Sequence, residues 1–238
     1  MTLKYILMDV EGTTTAKSFV YDTLFPYAKE EMKNFLFVNR DNSAVIAELD
    51  SMAIMLGFKS FGPEFNLEKA LPILIQWMDE DKKIAPLKNL QGMIWENGYK
   101  SGVIKGHVYS EVKEAFLRWK DQKMLLGIYS SGSVLAQKLL FTNSLSGDLS
   151  IFLDDHFDTQ VGAKQISQSY QSIAAKLKLE TMEILFLSDR KEEIIAGQKA
   201  GMQVALITRK EEVGQEDNIK NDFSWPCYEN FLEIKFLD

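Results

Sequence analysis

The chain has 238 residues, of which 46% are hydrophobic and 26% charged, a composition typical of a folded globular protein and not of a disordered one. Its formal net charge of −7 argues against a broad nucleic-acid or membrane surface, which would need a basic excess, but allows a local site for a small anion. Because its single cysteine, Cys227, cannot form an internal disulfide, we expect a protein of the reducing cytoplasm.

The first predicted element is a short buried strand, Tyr5–Met8, and it ends in an unusual group of polar residues. Asp9 and Glu11 come after it two positions apart, ahead of Gly12 and three threonines at 13–15. Asp, Gly and Thr are all common in solvated turns, which is the simpler interpretation of this stretch taken alone. The choice between a turn and a functional site depends on the residues at the ends of the other strands.

The interval from residue 16 to residue 105 has no convincing strand pattern. Apolar residues instead recur at helical spacing in four runs: Phe25–Phe37, Ala44–Leu56, Leu67–Met78 and Leu90–Tyr99. We predict a helical cap domain over 16–105, inserted between the first and second core strands. Such an insert would lie beside the carboxyl ends of the strands, where α/β proteins bind ligands, and is therefore suited to act as a lid.

Strand and helix patterns alternate from about residue 107 onward. Apolar runs predict buried strands at Met124–Tyr129, Ile184–Leu187 and Val204–Ile207, and more weakly at Phe157–Val161. Helices are predicted around Val112–Trp119, from an N-cap at Ser133 to Phe141, and over 165–178 and 191–201. This order predicts an α/β fold with a doubly wound, mainly parallel sheet built from residues 1–15 and 106–238. The charged stretch 209–221 indicates a solvated loop.

Chemically distinctive residues follow four of the five predicted strands. These are Asp9 and Glu11 after the first, Ser130, Ser131 and Gly132 after Met124–Tyr129, Ser188 and Asp189 after Ile184–Leu187, and Lys164 just beyond the weak strand. In a parallel sheet these ends meet at one edge. Carboxylates suit Mg²⁺, whereas hydroxyls, free amides and a lysine suit phosphate oxygens. The pattern predicts a site for Mg²⁺ and phosphate, with Asp9 as the nucleophile and Glu11 as its acid/base partner.

These motifs resemble those of the haloacid dehalogenase-like phosphohydrolases. That superfamily has Asp-x-Asp-x-Thr/Val after its first strand, a Ser or Thr ending a second, a lysine, and an acidic pair after a further strand. The matching positions are Asp9-Val10-Glu11-Gly12-Thr13, Ile128-Tyr129-Ser130-Ser131-Gly132, Lys164, and Asp189 with Glu193. Glu11 stands where most of the superfamily has Asp, and Asp-x-Glu-Gly-Thr-Thr with Leu24-Phe25-Pro26-Tyr27 looks like the enolase-phosphatases of methionine salvage, also called acireductone synthases.

The resemblance implies a Mg²⁺-dependent enzyme that enolises a diketo-methylthiopentyl phosphate and then dephosphorylates it to the acireductone. Asp9 would form an aspartyl-phosphate, and Glu11 would protonate the leaving oxygen and then activate the water. The implied metal ligands are Asp9, Glu11 through its backbone carbonyl, and Asp189; the implied phosphate ligands are Ser130, Ser131 and Lys164. The expected partner is a small phosphorylated substrate, with no nucleic acid or membrane, and we expect a monomer.

Other interpretations of these residues stay open at this point. Ser131 could be only a helix N-cap, and Lys164 only a surface lysine. Glu193 is better suited to orient Lys164 or a metal-bound water than to bind Mg²⁺ itself. A phosphatase for another small phosphomonoester would show the same strand-end residues. A non-catalytic phosphate-binding protein on this fold is a further alternative, but it would not need both Asp9 and Glu11.

Overall fold

The structure of the protein is a computed structural model, and it describes residues 2–210 and 225–235. The chain divides into two compact units, one formed by Met1–Phe19 with Lys105–Asp238 and the other by Val20–Ile104. The first unit contains the β-sheet and the second is helical. Within the described residues, the helices are all too short or too polar to cross a membrane.

The first unit is organised around a six-stranded sheet in which every described pairing is parallel. Its strands are β1 (Tyr5–Met8), β2 (Leu125–Tyr129), β3 (Asp155–Phe157), β4 (Ile184–Ser188), β5 (Gln203–Ile207) and β6 (Cys227–Tyr228). The spatial order is β3-β2-β1-β4-β5-β6, so the first strand of the chain lies inside the sheet, between β2 and β4. The predicted α/β fold with a parallel sheet is confirmed.

The register of the sheet brings the functional strand ends to one level. Met8, the last residue of β1, lies opposite Ile128 of β2 and Leu187 of β4. All four residues of β1 and all five of β4 are buried, as expected for apolar strands covered on both faces. The residues directly after β1, β2 and β4 therefore emerge side by side at the carboxyl edge of the sheet.

The described part of the sheet unit contains the α-helices α5 (Val112–Asp121), α6 (Val134–Thr142), α7 (Ser167–Leu177) and α8 (Lys191–Lys199). The predicted N-cap of α6 is confirmed, since the Ser133 hydroxyl accepts a hydrogen bond from the Ala136 amide at 3.2 Å. Helix α8 begins two residues after Asp189, so its first turn carries Glu193 back toward the strand ends.

The helical unit contains α1 (Phe25–Val38), α2 (Ser43–Met55), α3 (Leu67–Asp79) and α4 (Ala85–Lys100), preceded by a π-helical segment at Phe19–Leu24. The four predicted helices are confirmed, but α4 starts five residues before the expected Leu90. Pro86 explains the early start, because proline is favoured in the first helical turn. Trp95 is buried in this unit and donates from its indole to the Leu24 carbonyl at 2.8 Å.

The weak strand predicted at Phe157–Val161 is placed wrongly. Strand β3 covers Asp155–Phe157, and the chain then turns. The Asp158 carboxylate accepts from the Gln160 amide at 2.9 Å, and the Asp158 carbonyl accepts from the Val161 amide at 3.1 Å. Asp commonly forms such turns by bonding the backbone two residues on, and here that tendency outweighs the apolar pattern. Lys164 comes shortly after this turn.

The solvated loop predicted at 209–221 is wrong at its first residue. Arg209 lies just beyond β5 and is 3% exposed. A buried guanidinium requires partners for its N–H groups, and Arg209 has them in Thr13, Glu111 and Glu229. The positions 211–221 of that prediction lie outside the described residues.

Candidate active site

Asp9 comes directly after β1 and occupies a buried position at the carboxyl edge of the sheet. Its Oδ1 atom lies 2.5 Å from the Lys164 Nζ atom and accepts a hydrogen bond from the Val10 amide at 2.7 Å. The Ser188 hydroxyl lies 3.4 Å from the other oxygen, Oδ2. A buried carboxylate is separated from water and needs such donors, which Lys164, Val10 and Ser188 provide here.

Lys164 joins Asp9 to a second acidic residue. Its Nζ atom lies 2.7 Å from Glu193 Oε2, and Ser188 donates to the same oxygen at 2.9 Å. Burial opposes the charged ammonium, but the Asp9 and Glu193 carboxylates outweigh it and raise the pKa of Lys164. Lys164 is 3% exposed, so the alternative of a surface lysine is wrong. Its contact with Glu193 agrees with an orienting role for that carboxylate.

Burial and the neighbouring groups together determine the pKa of the Glu193 carboxyl. Burial first, and then the nearby Asp9 charge, raise the pKa of its carboxyl to about 7, while Lys164 and Ser188 oppose the rise. Glu193 lies in the first turn of α8, which brings it to the sheet edge. The three side chains of Asp9, Lys164 and Glu193 therefore form one charged cluster in the sheet unit.

The segment after Asp9 is a tight loop that packs inward. The Val10 carbonyl accepts from the amides of all three threonines at 13–15, at 3.2, 2.9 and 2.9 Å. These threonines are fully buried, so the solvated-turn interpretation is wrong. Gly12 has φ +74°, and a Cβ atom there would lie 2.5 Å from Asp189 Oδ2. Only glycine satisfies both the backbone conformation and this close approach.

Thr13 connects the loop to Asp189. Its hydroxyl accepts a hydrogen bond from the Asp189 amide at 3.0 Å. The Asp189 carboxylate is in turn paired with Lys17, whose Nζ atom lies 2.5 Å from Oδ2. Burial and the Asp9 charge raise the pKa of Asp189, and Lys17 opposes the rise. The fold thus brings the first and the fourth of the sequence motifs together.

The acidic residues of this region fit a hard divalent cation. The candidate site contains four carboxylates, of Asp9, Glu11, Asp189 and Glu193, against the ammonium groups of Lys17 and Lys164, a formal excess of two negative charges. Among the described residues, no group of three acidic, His or Cys side chains forms a metal cage. The predicted set requires only the side chains of Asp9 and Asp189 with the Glu11 carbonyl, which is ordinary for Mg²⁺ with its waters.

Ser130 and Ser131 lie in the loop between β2 and α6. Ser130 is buried, its hydroxyl accepts from the Gly132 amide at 3.0 Å, and its own amide donates to the Phe157 carbonyl at 3.1 Å. Ser131 is partly exposed. The N-cap of α6 is Ser133, so the alternative of Ser131 as the helix cap is wrong. This leaves the Ser131 side chain available for another role.

Gln137 fixes this serine loop, and the sequence did not mark it as a site residue. It is 2% exposed, and its amide nitrogen donates to the carbonyls of Gly132 at 3.0 Å and Phe157 at 2.9 Å. Its oxygen lies 3.1 Å from His156 Nδ1. A glutamine inside an amphipathic helix gives no distinctive signal, because its partners are backbone groups from another strand end.

Direct contacts thus join Asp9, Lys164, Glu193 and Ser188. Asp189 follows Ser188 in the chain, and Glu11 lies in the same loop as Asp9. Glu11 is partly exposed, with its backbone bridged to Thr15. Ser130 and Ser131 share the sheet edge by register, since β2 lies beside β1. A buried carboxylate beside a lysine, with a hydroxyl loop at the same edge, provides the groups needed for attack on phosphorus.

Comparison with known proteins assigns the family. A model of the haloacid dehalogenase-like hydrolases matches residues 3–201, which is most of the chain. This protein is a haloacid dehalogenase-like hydrolase.

The hydrolase has close relatives among curated proteins. It is 44% identical to enolase-phosphatase E1 of Pseudomonas fluorescens over 210 residues, which is 88% of this chain and 91% of that one. It is 41% identical to enolase-phosphatase E1 of Marinobacter nauticus over 223 residues, or 93% of this chain and 96% of that one.

Solved structures agree with the fold. The hydrolase is similar to the unknown transcript 4 protein of Saccharomyces cerevisiae, with a TM-score of 0.77 and 30% identity, covering 98% of this chain and all of that one. It also shares its fold with CbbY of Rhodobacter sphaeroides at a TM-score of 0.56 and 12% identity, covering 98% of this chain and 96% of that one.

Proposed function

We propose that this hydrolase is a Mg²⁺-dependent enolase-phosphatase, which converts a diketo-methylthiopentyl phosphate to the acireductone and phosphate. The names of relatives 41–45% identical over about nine-tenths of the chain support the enolase-phosphatase activity, and the resemblance of the sequence motifs implies the substrate. The observation that carries the chemistry is the Asp9 carboxylate, buried against the Lys164 ammonium at 2.5 Å, with Glu11 two residues away in the same loop.

In the first step of the dephosphorylation, which follows enolisation of the substrate, Asp9 attacks phosphorus. A new bond forms between a carboxylate oxygen and phosphorus, and the bond from phosphorus to the substrate oxygen breaks. Glu11, in its protonated form, gives its proton to that leaving oxygen. Lys164 favours the reaction because its ammonium group attracts the phosphate anion and offsets the repulsion between phosphate and the Asp9 carboxylate.

In the second step, the aspartyl-phosphate is hydrolysed. Glu11, now ionised, takes a proton from a water molecule, whose oxygen attacks phosphorus. The bond between phosphorus and the Asp9 oxygen breaks, which releases phosphate and returns Asp9 to its carboxylate form. Glu11 is again protonated at the end. Formation and hydrolysis of the aspartyl-phosphate therefore consume only the substrate and one water molecule.

The remaining residues hold the anion and the metal ion. Ser130, Ser131 and Lys164 bind the phosphate oxygens in this proposal. Asp9, the Glu11 backbone carbonyl and Asp189 hold Mg²⁺, which when bound supplies positive charge against the phosphate oxygens. We further propose that the helical unit Val20–Ile104 is the cap domain that selects the substrate. We also propose that the enzyme works as a monomer in the reducing cytoplasm, a location that its single cysteine, Cys227, favours.

The decisive experiment is an assay of the purified protein on the diketo phosphate with and without Mg²⁺. We expect enolisation and release of one phosphate per substrate, only with the metal. A panel of other phosphorylated metabolites tests the alternative, a phosphatase for a different small phosphomonoester. Faster hydrolysis of one of those would favour that alternative, and absence of phosphate release from every compound would favour a non-catalytic phosphate-binding protein.

A further inference from the structure

Arg209 is a buried cation that the proposed chemistry does not use. It lies just beyond β5, and its Nε atom donates to the Thr13 carbonyl at 3.0 Å, as does one terminal nitrogen of the same guanidinium. The other terminal nitrogen pairs with the Glu111 carboxylate and donates to the Glu229 carbonyl at 3.3 Å. The flat guanidinium also lies over an aromatic ring, 4.0 Å from the ring centre of Tyr109.

The contact with Thr13 reaches the centre of the candidate site. Thr13 lies two residues after Glu11, in the loop that starts at Asp9. Its carbonyl accepts from Arg209 while its hydroxyl accepts from the Asp189 amide at 3.0 Å. One residue of the loop is therefore held from two sides, by the end of β5 through Arg209 and by the end of β4 through Asp189.

A second arginine offers a direct comparison. Arg118 on α5 donates to the carbonyls of Phe231, Leu232 and Ile234, at 3.0, 3.0 and 2.8 Å. Arg209 approaches the same segment, 225–235, through the Glu229 carbonyl and the Phe231 ring. Both arginines thus anchor segment 225–235. Within the described residues, the contacts seen for Arg118 are to this segment, whereas Arg209 also contacts the loop that carries Asp9 and Glu11.

We propose that Arg209 is a positioning residue for phosphoryl transfer, which holds the loop so that Glu11 meets the leaving oxygen. The inference rests on the proposed function. Two guanidinium donors on the Thr13 carbonyl fix the distance of the loop from Arg209 and also the direction in which that carbonyl points. A single donor would fix only the distance. Displacement of a reacting group by about 1 Å can cost about a hundredfold in rate.

The test compares Arg209→Met, Arg209→Lys and Arg118→Met as full-length proteins, using para-nitrophenyl phosphate and the diketo phosphate. On the diketo phosphate, Arg209→Met should lower kcat about 10- to 100-fold and change KM by less than about twofold. The loss should be smaller on para-nitrophenyl phosphate, whose leaving group needs little protonation. Arg209→Lys keeps the charge but loses the fork, and should recover part of this loss. Arg118→Met removes three hydrogen bonds to the same segment, so its unfolding midpoint should fall while its kcat stays within about twofold of wild type.

The outcomes distinguish a failure of the proposed function from a failure of the inference about Arg209. Wild-type protein that hydrolyses no phosphomonoester overturns the proposed function before the variants are compared. Active wild type with an unchanged kcat in both Arg209 variants overturns the inference about Arg209 alone. An equal loss of kcat in Arg118→Met also overturns it, because general destabilisation would then be the cause. If Arg209→Met does not fold, the kcat of Arg209→Lys decides, with a loss of less than about twofold counting against the proposal.

Discussion

The Lys164 ammonium lies 2.5 Å from Asp9 Oδ1, with both side chains almost completely buried. Such a pair costs desolvation energy, which the direct contact and the second carboxylate at Glu193 offset. The contact places the proposed nucleophile beside a buried cation that can also attract the phosphate anion. The first prediction concerns the loss of this carboxylate.

Asp9→Asn should abolish phosphate release, with a loss of at least about a thousandfold, while the protein stays folded. The amide cannot act as an anionic nucleophile, and it weakens the proposed metal site. Phosphate release and circular dichroism measured together check this. Asp79→Asn is the matched control, because Asp79 pairs with Lys29 on an exposed face of the helical unit and should keep full activity. Turnover by folded Asp9→Asn would contradict the assignment of the nucleophile.

Removal of metal should stop the reaction reversibly. The proposed ligands are all oxygen atoms, and the site has a formal excess of negative charge that suits Mg²⁺. We expect a chelator to remove activity and added Mg²⁺ to restore it. Phosphate release is the measurement, with a chelator already saturated with Mg²⁺ as the control. Full turnover by the metal-free protein would show that the carboxylate cluster has another role.

Lys17→Met should strengthen Mg²⁺ binding by about 3- to 10-fold. The Lys17 ammonium pairs with Asp189 at 2.5 Å and offsets part of the negative charge that would attract the metal ion. The same variant should unfold at a lower temperature without metal, since the buried Asp189 loses a cation, and should regain stability with Mg²⁺. Calorimetric titration and thermal unfolding measure these effects.

Lys29→Met removes the same charge from an exposed pair in the helical unit and serves as the control for Lys17→Met. It should change neither Mg²⁺ affinity nor the effect of the metal on unfolding. Weaker Mg²⁺ binding by Lys17→Met would contradict this prediction. It would mean that Lys17 helps metal binding by holding Asp189 in place.

Glu11→Gln should leave Mg²⁺ affinity nearly unchanged but lower kcat by about 10² to 10⁴, the usual contribution of a positioned proton donor. Glu11→Asp keeps the charge and withdraws the carboxyl by one methylene. It should impair turnover of the diketo phosphate more than that of an aryl phosphate, whose leaving group needs little protonation. Steady-state rates on both substrates test this. If Glu11→Asp turned over the diketo phosphate as fast as wild type, the longer side chain of Glu11 would have no special role in this reaction.

His156 should make stability sensitive to mild acid. Burial first, and then Lys138, lower the pKa of its imidazole from 6.5 to about 4. The unfolded chain therefore binds the proton more readily, so the free energy of unfolding falls as the pH drops from about 6.5 toward 4. His156→Asn keeps a donor for Gln137 without a titrating ring. Between pH 7 and 5, wild type should lose about 1 kcal/mol more than the variant in urea unfolding, and equal losses would contradict this.

Local sequence patterns were sufficient for the parts of this protein that depend on neighbouring residues. Apolar runs bounded by polar residues located β1 and β4, because a strand buried on both faces has no reason to alternate. Ser133 marked the start of α6 through a hydrogen bond that spans only three residues. The order of strand ends, together with parallel pairing, was also enough to gather Asp9, Lys164 and Asp189 at one edge.

Tertiary structure decided whatever depends on partners far apart in the chain. Arg209 begins a charged run, and its burial results only from the Thr13 carbonyl and the Glu111 carboxylate that surround it. Gln137 gains its role from the carbonyl ends of another loop and strand. A buried polar side chain is stable only where the whole fold supplies its hydrogen-bond partners, and this information is absent from any short stretch of sequence.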